Sequence, residues 1–106
     1  MKKLLISCSL LALAIALIPN LSYAEGGADT FKAKCAMCHG ADGSGNTAMG
    51  KKFGLKDLGS ADVQKESDAT LTEIITKGKG KMPAYEGKLT NDQITEVVKY
   101  IRTLKK

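Results

Sequence analysis

The chain contains no tryptophan, and its 106 residues include only two phenylalanines and three tyrosines. That aromatic supply is thin for a hydrophobic core. Histidine occurs once, at His39, and proline only at Pro19 and Pro83. No block of five or more like charges exists, and no basic stripe interleaves with aromatics, which argues against a nucleic-acid partner. No segment alternates with period two in Val, Ile and Thr, so a sheet is not expected. The longest mainly apolar run, Leu4 to Ile18, is 15 residues, short of the roughly 20 needed to cross a bilayer. The length allows one domain, and no repeat or low-complexity tract divides it.

Residues 1–24 have the layout of a cleaved secretory signal peptide. Lys2 and Lys3 give the positive start, and Pro19 and Asn20 break the apolar run. Ser22-Tyr23-Ala24 places small residues at −3 and −1 for cleavage before Glu25. The expected mature chain is residues 25–106, with no stable insertion in a membrane. Removing Lys2 and Lys3 leaves fourteen basic residues against eleven acidic ones, an excess of three. Of the three cysteines, Cys8 leaves with the peptide. The other two, Cys35 and Cys38, stand in Cys35-Ala36-Met37-Cys38-His39.

That pentapeptide is the attachment motif for c-type haem. Its two thiols form thioether bonds with the haem vinyl groups, and its histidine reaches the iron as an axial ligand. One covalent haem c would also supply the apolar bulk that the missing aromatics do not. Both thiols are then consumed, so no disulfide is expected. Two other readings of Cys-x-x-Cys fare worse. A thioredoxin-like site needs a βαβ context that is absent. A structural zinc site needs a fourth ligand.

The rest of the mature chain is expected to be all-α, three to four short helices with long loops around the haem. The first helix is predicted over about Ala28–Cys38, with Phe31, Cys35 and Cys38 on one face and Gly40 as its C-cap. Gly26 and Gly27 permit close backbone approach. Residues 40–59 are glycine-rich and predicted as loop, with Leu55 and Leu58 against the haem. Ser60 is expected to cap a short helix to about Lys65. A helix over about Ala69–Lys77 buries Leu71, Ile74 and Ile75, with Asp68 or Thr70 as cap. The last helix opens with a Thr90/Gln93 capping box and a Leu89/Ile94 staple. Its apolar positions are Ile94, Val97, Val98, Ile101 and Leu104.

No second histidine is available for the other axial position, which leaves three methionines in the mature chain. Met37 lies between the cysteines, on the side of His39. Met49 is read as core filler. Met82 precedes Pro83, which restricts it to extended backbone, and it is assigned as the second axial ligand.

Residues 25–106 resemble the small bacterial class I cytochromes c, of the monohaem c6/c553/c555-like type. The resemblance rests on the pentapeptide 35–39, on Met82-Pro83, on Gly27 and Phe31, and on Val97 and Tyr100. It implies the cytochrome c fold, with Gly27 and Phe31 packed against Val97 and Tyr100 where the first and last helices cross. Many members carry a proline soon after the pentapeptide, whose carbonyl accepts a hydrogen bond from the histidine. Residues 40–58 contain none, and a carbonyl in Gly45–Ala48 is expected to take that role.

The implied function is that of a soluble, monomeric, periplasmic electron carrier, not an enzyme. His39 and Met82 hold the iron, and a redox-protein donor and acceptor dock at the haem edge. Lys77, Lys79, Lys81, Lys32 and Lys34, with Lys51, Lys52 and Lys88, are the candidates to attract acidic docking surfaces. The alternative is a haem enzyme or gas sensor in which Met82 is displaced.

Overall fold

Thr90 starts the longest helix among the described residues. Its hydroxyl accepts the Gln93 N–H at 3.1 Å, and the Gln93 side chain accepts the Thr90 N–H at 2.8 Å. Two of the donors that a helix start leaves unpaired are thus satisfied, as the capping box requires. In this computed structural model, which describes residues 26–106, that helix is the last of six. They are α1 (Gly27–Lys34), α2 (Ala36–His39), α3 (Ala48–Phe53), α4 (Ala61–Gln64), α5 (Asp68–Lys77) and α6 (Asn91–Thr103). The proposed signal peptide and Cys8 lie outside the described residues. Among the described residues there is no strand, only isolated bridges at Lys79/Met82 and Glu86/Leu89. No described helix is long and apolar enough to cross a membrane.

The α6 stripe of Ile94, Val97, Val98 and Ile101 is buried, spaced three, one and three apart as one helical face requires. It packs on Phe31 of α1, on Leu71 and Ile75 of α5, and on Leu89. Leu104 is half-buried beside this core and Ile74 is likewise half-buried. The contact between α1 and α6 depends on Gly27. A Cβ there would overlap the Glu96 carbonyl oxygen and lie 3.1 Å from the Tyr100 Cβ. The close approach brings the Phe31 and Tyr100 rings to 5.1 Å between centroids. Gly27, Phe31, Val97 and Tyr100 therefore meet as the resemblance implies.

Arg102 joins α6 to the α4–α5 corner. Its guanidinium donates to the carbonyls of Gln64 and Glu66 and pairs with Asp68 at 2.8 Å. The Gln64 side-chain amide bridges the Leu58 and Ile101 carbonyls at 2.8 and 2.9 Å. These contacts fix the corner that lies over the core.

Four local expectations need correction. The first predicted helix is two: the chain leaves α1 at Cys35 and re-enters a helix at Ala36. Part of the predicted loop 40–59 is α3. Thr47 caps it by accepting the Gly50 N–H at 2.8 Å. Gly50 also lets α3 lie against the preceding loop, since a Cβ there would overlap the Gly45 carbonyl oxygen. The cap of α5 is Ser67, whose hydroxyl accepts the Thr70 N–H at 3.0 Å. Ser60 precedes α4 as expected, but its hydroxyl is buried and makes no capping bond.

Candidate functional site

The break at Cys35 turns the pentapeptide inward. The Cys35 N–H still bonds to the Phe31 carbonyl at 2.8 Å, closing α1. Its own carbonyl then accepts the N–H groups of Cys38 and His39 at 3.3 and 3.0 Å, starting the one-turn α2. Gly40 ends that turn at φ 86°, where glycine meets no steric penalty. Cys35, Cys38 and His39 are all half-buried as a result. Both thiols are free. Burial, and then the neighbouring Cys38, push the Cys35 thiol up to about 11. It therefore stays neutral inside an apolar wall.

The loop that follows is sewn to the back of α2. The Gly45 N–H donates to the His39 carbonyl at 2.7 Å, and the Thr47 hydroxyl donates to the Cys38 carbonyl at 2.6 Å. The expectation that a carbonyl of Gly45–Ala48 accepts from the His39 ring is not met. This loop meets α2 through its donors, and the Gly45 carbonyl is occupied by the Thr47 N–H at 2.9 Å. His39 Nδ1 is buried with no hydrogen-bond partner. Burial also lowers the His39 pKa, which favours the neutral imidazole that ligates metals.

Met82 is brought to the same cavity as His39 by the segment after α5. Gly78 ends α5, and Lys79 and Met82 exchange backbone hydrogen bonds of 3.1 and 2.9 Å across a tight turn. Beyond Pro83, the N–H groups of Tyr85 and Glu86 return to the Ile75 and Thr76 carbonyls at 3.0 and 3.1 Å. The Tyr85 hydroxyl donates to the Lys34 carbonyl at 2.9 Å. Met82 is half-buried and packs on the core. Met37 is 81% exposed, consistent with no ligand role. Met49 is 36% exposed, so it is not core filler. It sits on the outer side of α3, a helix absent from the sequence prediction.

These arms frame a cavity of about 300 Å³. Cys35, His39 and Met82 line it with Phe31, Leu58, Val63, Leu71, Ile75, Val97 and Ile101. Polar groups gather at Lys56, Asp62, Glu66, Thr70 and Lys79, which the sequence reading did not single out as a group. Only their common position around the void relates them, and no spacing in the chain signals it. A second cavity of about 50 Å³ continues past Cys35, Cys38, His39 and Met82, between Leu55, Phe53, Pro83 and Tyr85. The two together make an apolar slot crossed by the four predicted site residues. Left unfilled, this cavity presents a largely apolar lining to water, which is unfavourable. A flat apolar group attached at the cysteines, with His39 and Met82 available to ligate its iron, fits the slot and its apolar lining.

The lysines divide into groups. Lys34 and Lys81 line the small cavity. Lys52 and Lys81 stand 5.7 and 6.0 Å from the Phe53 ring centre, and Lys88 stands 5.9 Å from that of Tyr85. Lys77 is paired with Glu86 at 3.0 Å. Lys32 lines a separate open groove with Met37 and Ala41.

The family described as "Cytochrome C oxidase, cbb3-type, subunit III" matches residues 23–101. The cytochrome c6 of Thermosynechococcus vestitus is 36% identical, over 95% of this chain and 91% of that protein. That of Thermostichus vulcanus is 35% identical, with the same coverage. The cbb3-type cytochrome c oxidase subunit FixP of Azorhizobium caulinodans is 38% identical over 76% of this chain, but only 27% of FixP is covered. Among solved structures, the KustC0563 c-type cytochrome superposes with a TM-score of 0.71 at 32% identity, over 76% of this chain and 98% of that one.

Proposed function

Because the chain belongs to the cytochrome c family, we propose that it is an exported, monomeric electron carrier. Its one haem c would be bonded to Cys35 and Cys38, with His39 and Met82 as the residues that hold the iron. The bound haem supplies reversible one-electron ferric/ferrous chemistry.

The protein's residues give that chemistry its character. Cys35 and Cys38 fix the group to α2, so it does not exchange. His39 offers a neutral imidazole from the same turn. Met82 offers a soft thioether from the segment after α5, and Met/His ligation raises the potential. With the iron held by both His39 and Met82, no position would remain for a substrate. Phe31, Leu71, Ile75 and Val97 exclude water from the interior. The opening at Phe53, Pro83 and Tyr85 is the route for electrons.

A single observation carries this reading. Cys35 and His39 from the pentapeptide and Met82 from the segment after α5, far apart in sequence, line one apolar slot. The proposed export rests on the cleavable layout of residues 1–24 and places the mature chain in a bacterial periplasm.

The partners are redox proteins with acidic docking faces. Lys34, Lys52, Lys81 and Lys88 ring the small cavity, and none of them is in an ion pair among the described residues. Electrostatic steering of this kind is screened by salt. The second-order rate of electron exchange with a negatively charged redox protein is expected to fall about tenfold from low to physiological ionic strength. A rate indifferent to salt in stopped-flow measurements would remove the docking role of this lysine rim.

A further inference from the structure

We propose that the Tyr85 hydroxyl is a latch between the two ligand-bearing arms, making Tyr85 a positioning residue for the sixth ligand. The inference rests on the His39/Met82 reading and adds to it what holds Met82 in place.

The Met82 arm is otherwise tied only to its own side of the molecule. Lys79 bonds to Met82 across the turn, and Tyr85 and Glu86 return to Ile75 and Thr76 of α5. Among the described residues, one hydrogen bond joins segment 78–89 to segment 31–40: Tyr85 Oη to the Lys34 carbonyl, 2.9 Å long. Its ends are well placed. Tyr85 stands three residues after Met82, and Lys34 immediately precedes Cys35.

The acceptor is available for a reason. Because the chain leaves α1 at Cys35, the N–H groups of Cys38 and His39 turn to the Cys35 carbonyl. The Lys34 carbonyl is thus one of the unpaired acceptors a helix end leaves behind, and Tyr85 supplies the donor. The Tyr85 ring meanwhile packs on the core and lines the small cavity with Cys35, Cys38, His39 and Met82. Phenylalanine at this position retains that wall and loses only the latch.

An external ligand reaches the iron only when Met82 swings away. Its apparent affinity is the intrinsic affinity multiplied by the open fraction. A hydrogen bond present only in the closed arm lowers that fraction by its net worth.

Imidazole titrated into the ferric holoprotein tests this. Tyr85→Phe is expected to keep the methionine–iron charge-transfer band and to bind imidazole roughly fivefold more tightly, the ratio a net hydrogen bond of ordinary strength amounts to. Amide exchange at Met82 and Tyr85 is expected to quicken, with Val97 and Val98 unchanged. Met82→Ala, run in parallel, is expected to lose the band. If Met82→Ala loses the band but Tyr85→Phe binds imidazole as the parent does, the latch is wrong and the ligand reading stands. If Met82→Ala keeps the band, the ligand reading itself fails, and the latch with it.

Discussion

Replacing Met82 by alanine is expected to leave the haem attached and to lower its reduction potential by on the order of 100 mV, within the roughly 0.8 V that axial ligands command. The attachment survives because it depends on the thiols of Cys35 and Cys38 and not on Met82. The potential falls because the thioether, a soft ligand that favours ferrous iron, is replaced by a methyl group that cannot ligate. Carbon monoxide and imidazole then gain a vacant position. No other methionine can substitute. Met37 is 81% exposed, between the cysteines, and Met49 lines neither cavity. A potential unchanged in Met82→Ala, measured by spectroelectrochemical titration, would mean that another group is the sixth ligand.

The double replacement Cys35→Ala/Cys38→Ala is expected to abolish covalent haem and, with it, cooperative folding. Among the described residues eight apolar side chains are buried, Phe31 the only aromatic among them. Five of them, Phe31, Leu71, Ile75, Val97 and Ile101, line the cavity of about 300 Å³. Without haem that apolar lining is left facing water. Domains of ordinary size hold about 5–15 kcal/mol in total, and one this small lies towards the lower end. The haem-free chain therefore retains little or no net stability. Circular dichroism of the double variant is expected to show no cooperative thermal transition. A sharp melt like that of the parent would mean that the slot collapses or that the core stands without haem. The single change Cys38→Ala keeps one thioether and is expected to reduce the yield of mature protein rather than eliminate it.

What the sequence disclosed divides along physical lines. The α6 start was readable because its determinants are local: Thr90 and Gln93 satisfy each other within three residues. The cysteines and His39 were readable because covalent chemistry demands fixed spacing. Met82 is singled out by elimination and by Pro83 beside it, and it lines the same cavity as His39. In contrast, α3 was hidden because its cause is partly tertiary. Only once the loop folds back does Gly50 have to lie against the Gly45 carbonyl. The α5 cap shows the limit of pattern matching. Ser67 and Thr70 both fit a cap by type, and the backbone decides for Ser67. Met49 by type alone suits a core, but α3 carries it outward. The environment of His39 could not be read at all. Which groups face an imidazole depends on the loop's course, and here its donors rather than its acceptors meet α2. The cavity rim of Lys56, Asp62, Glu66, Thr70 and Lys79 is a product of the same long-range folding.

In the proposed carrier, His39 and Met82 together close the iron. Exposure of the reduced protein to carbon monoxide at neutral pH tests this most directly. The absorption spectrum is expected to stay that of the six-coordinate ferrous protein. Rapid, stoichiometric formation of a carbon monoxide complex would contradict it, since the sixth position would then be open.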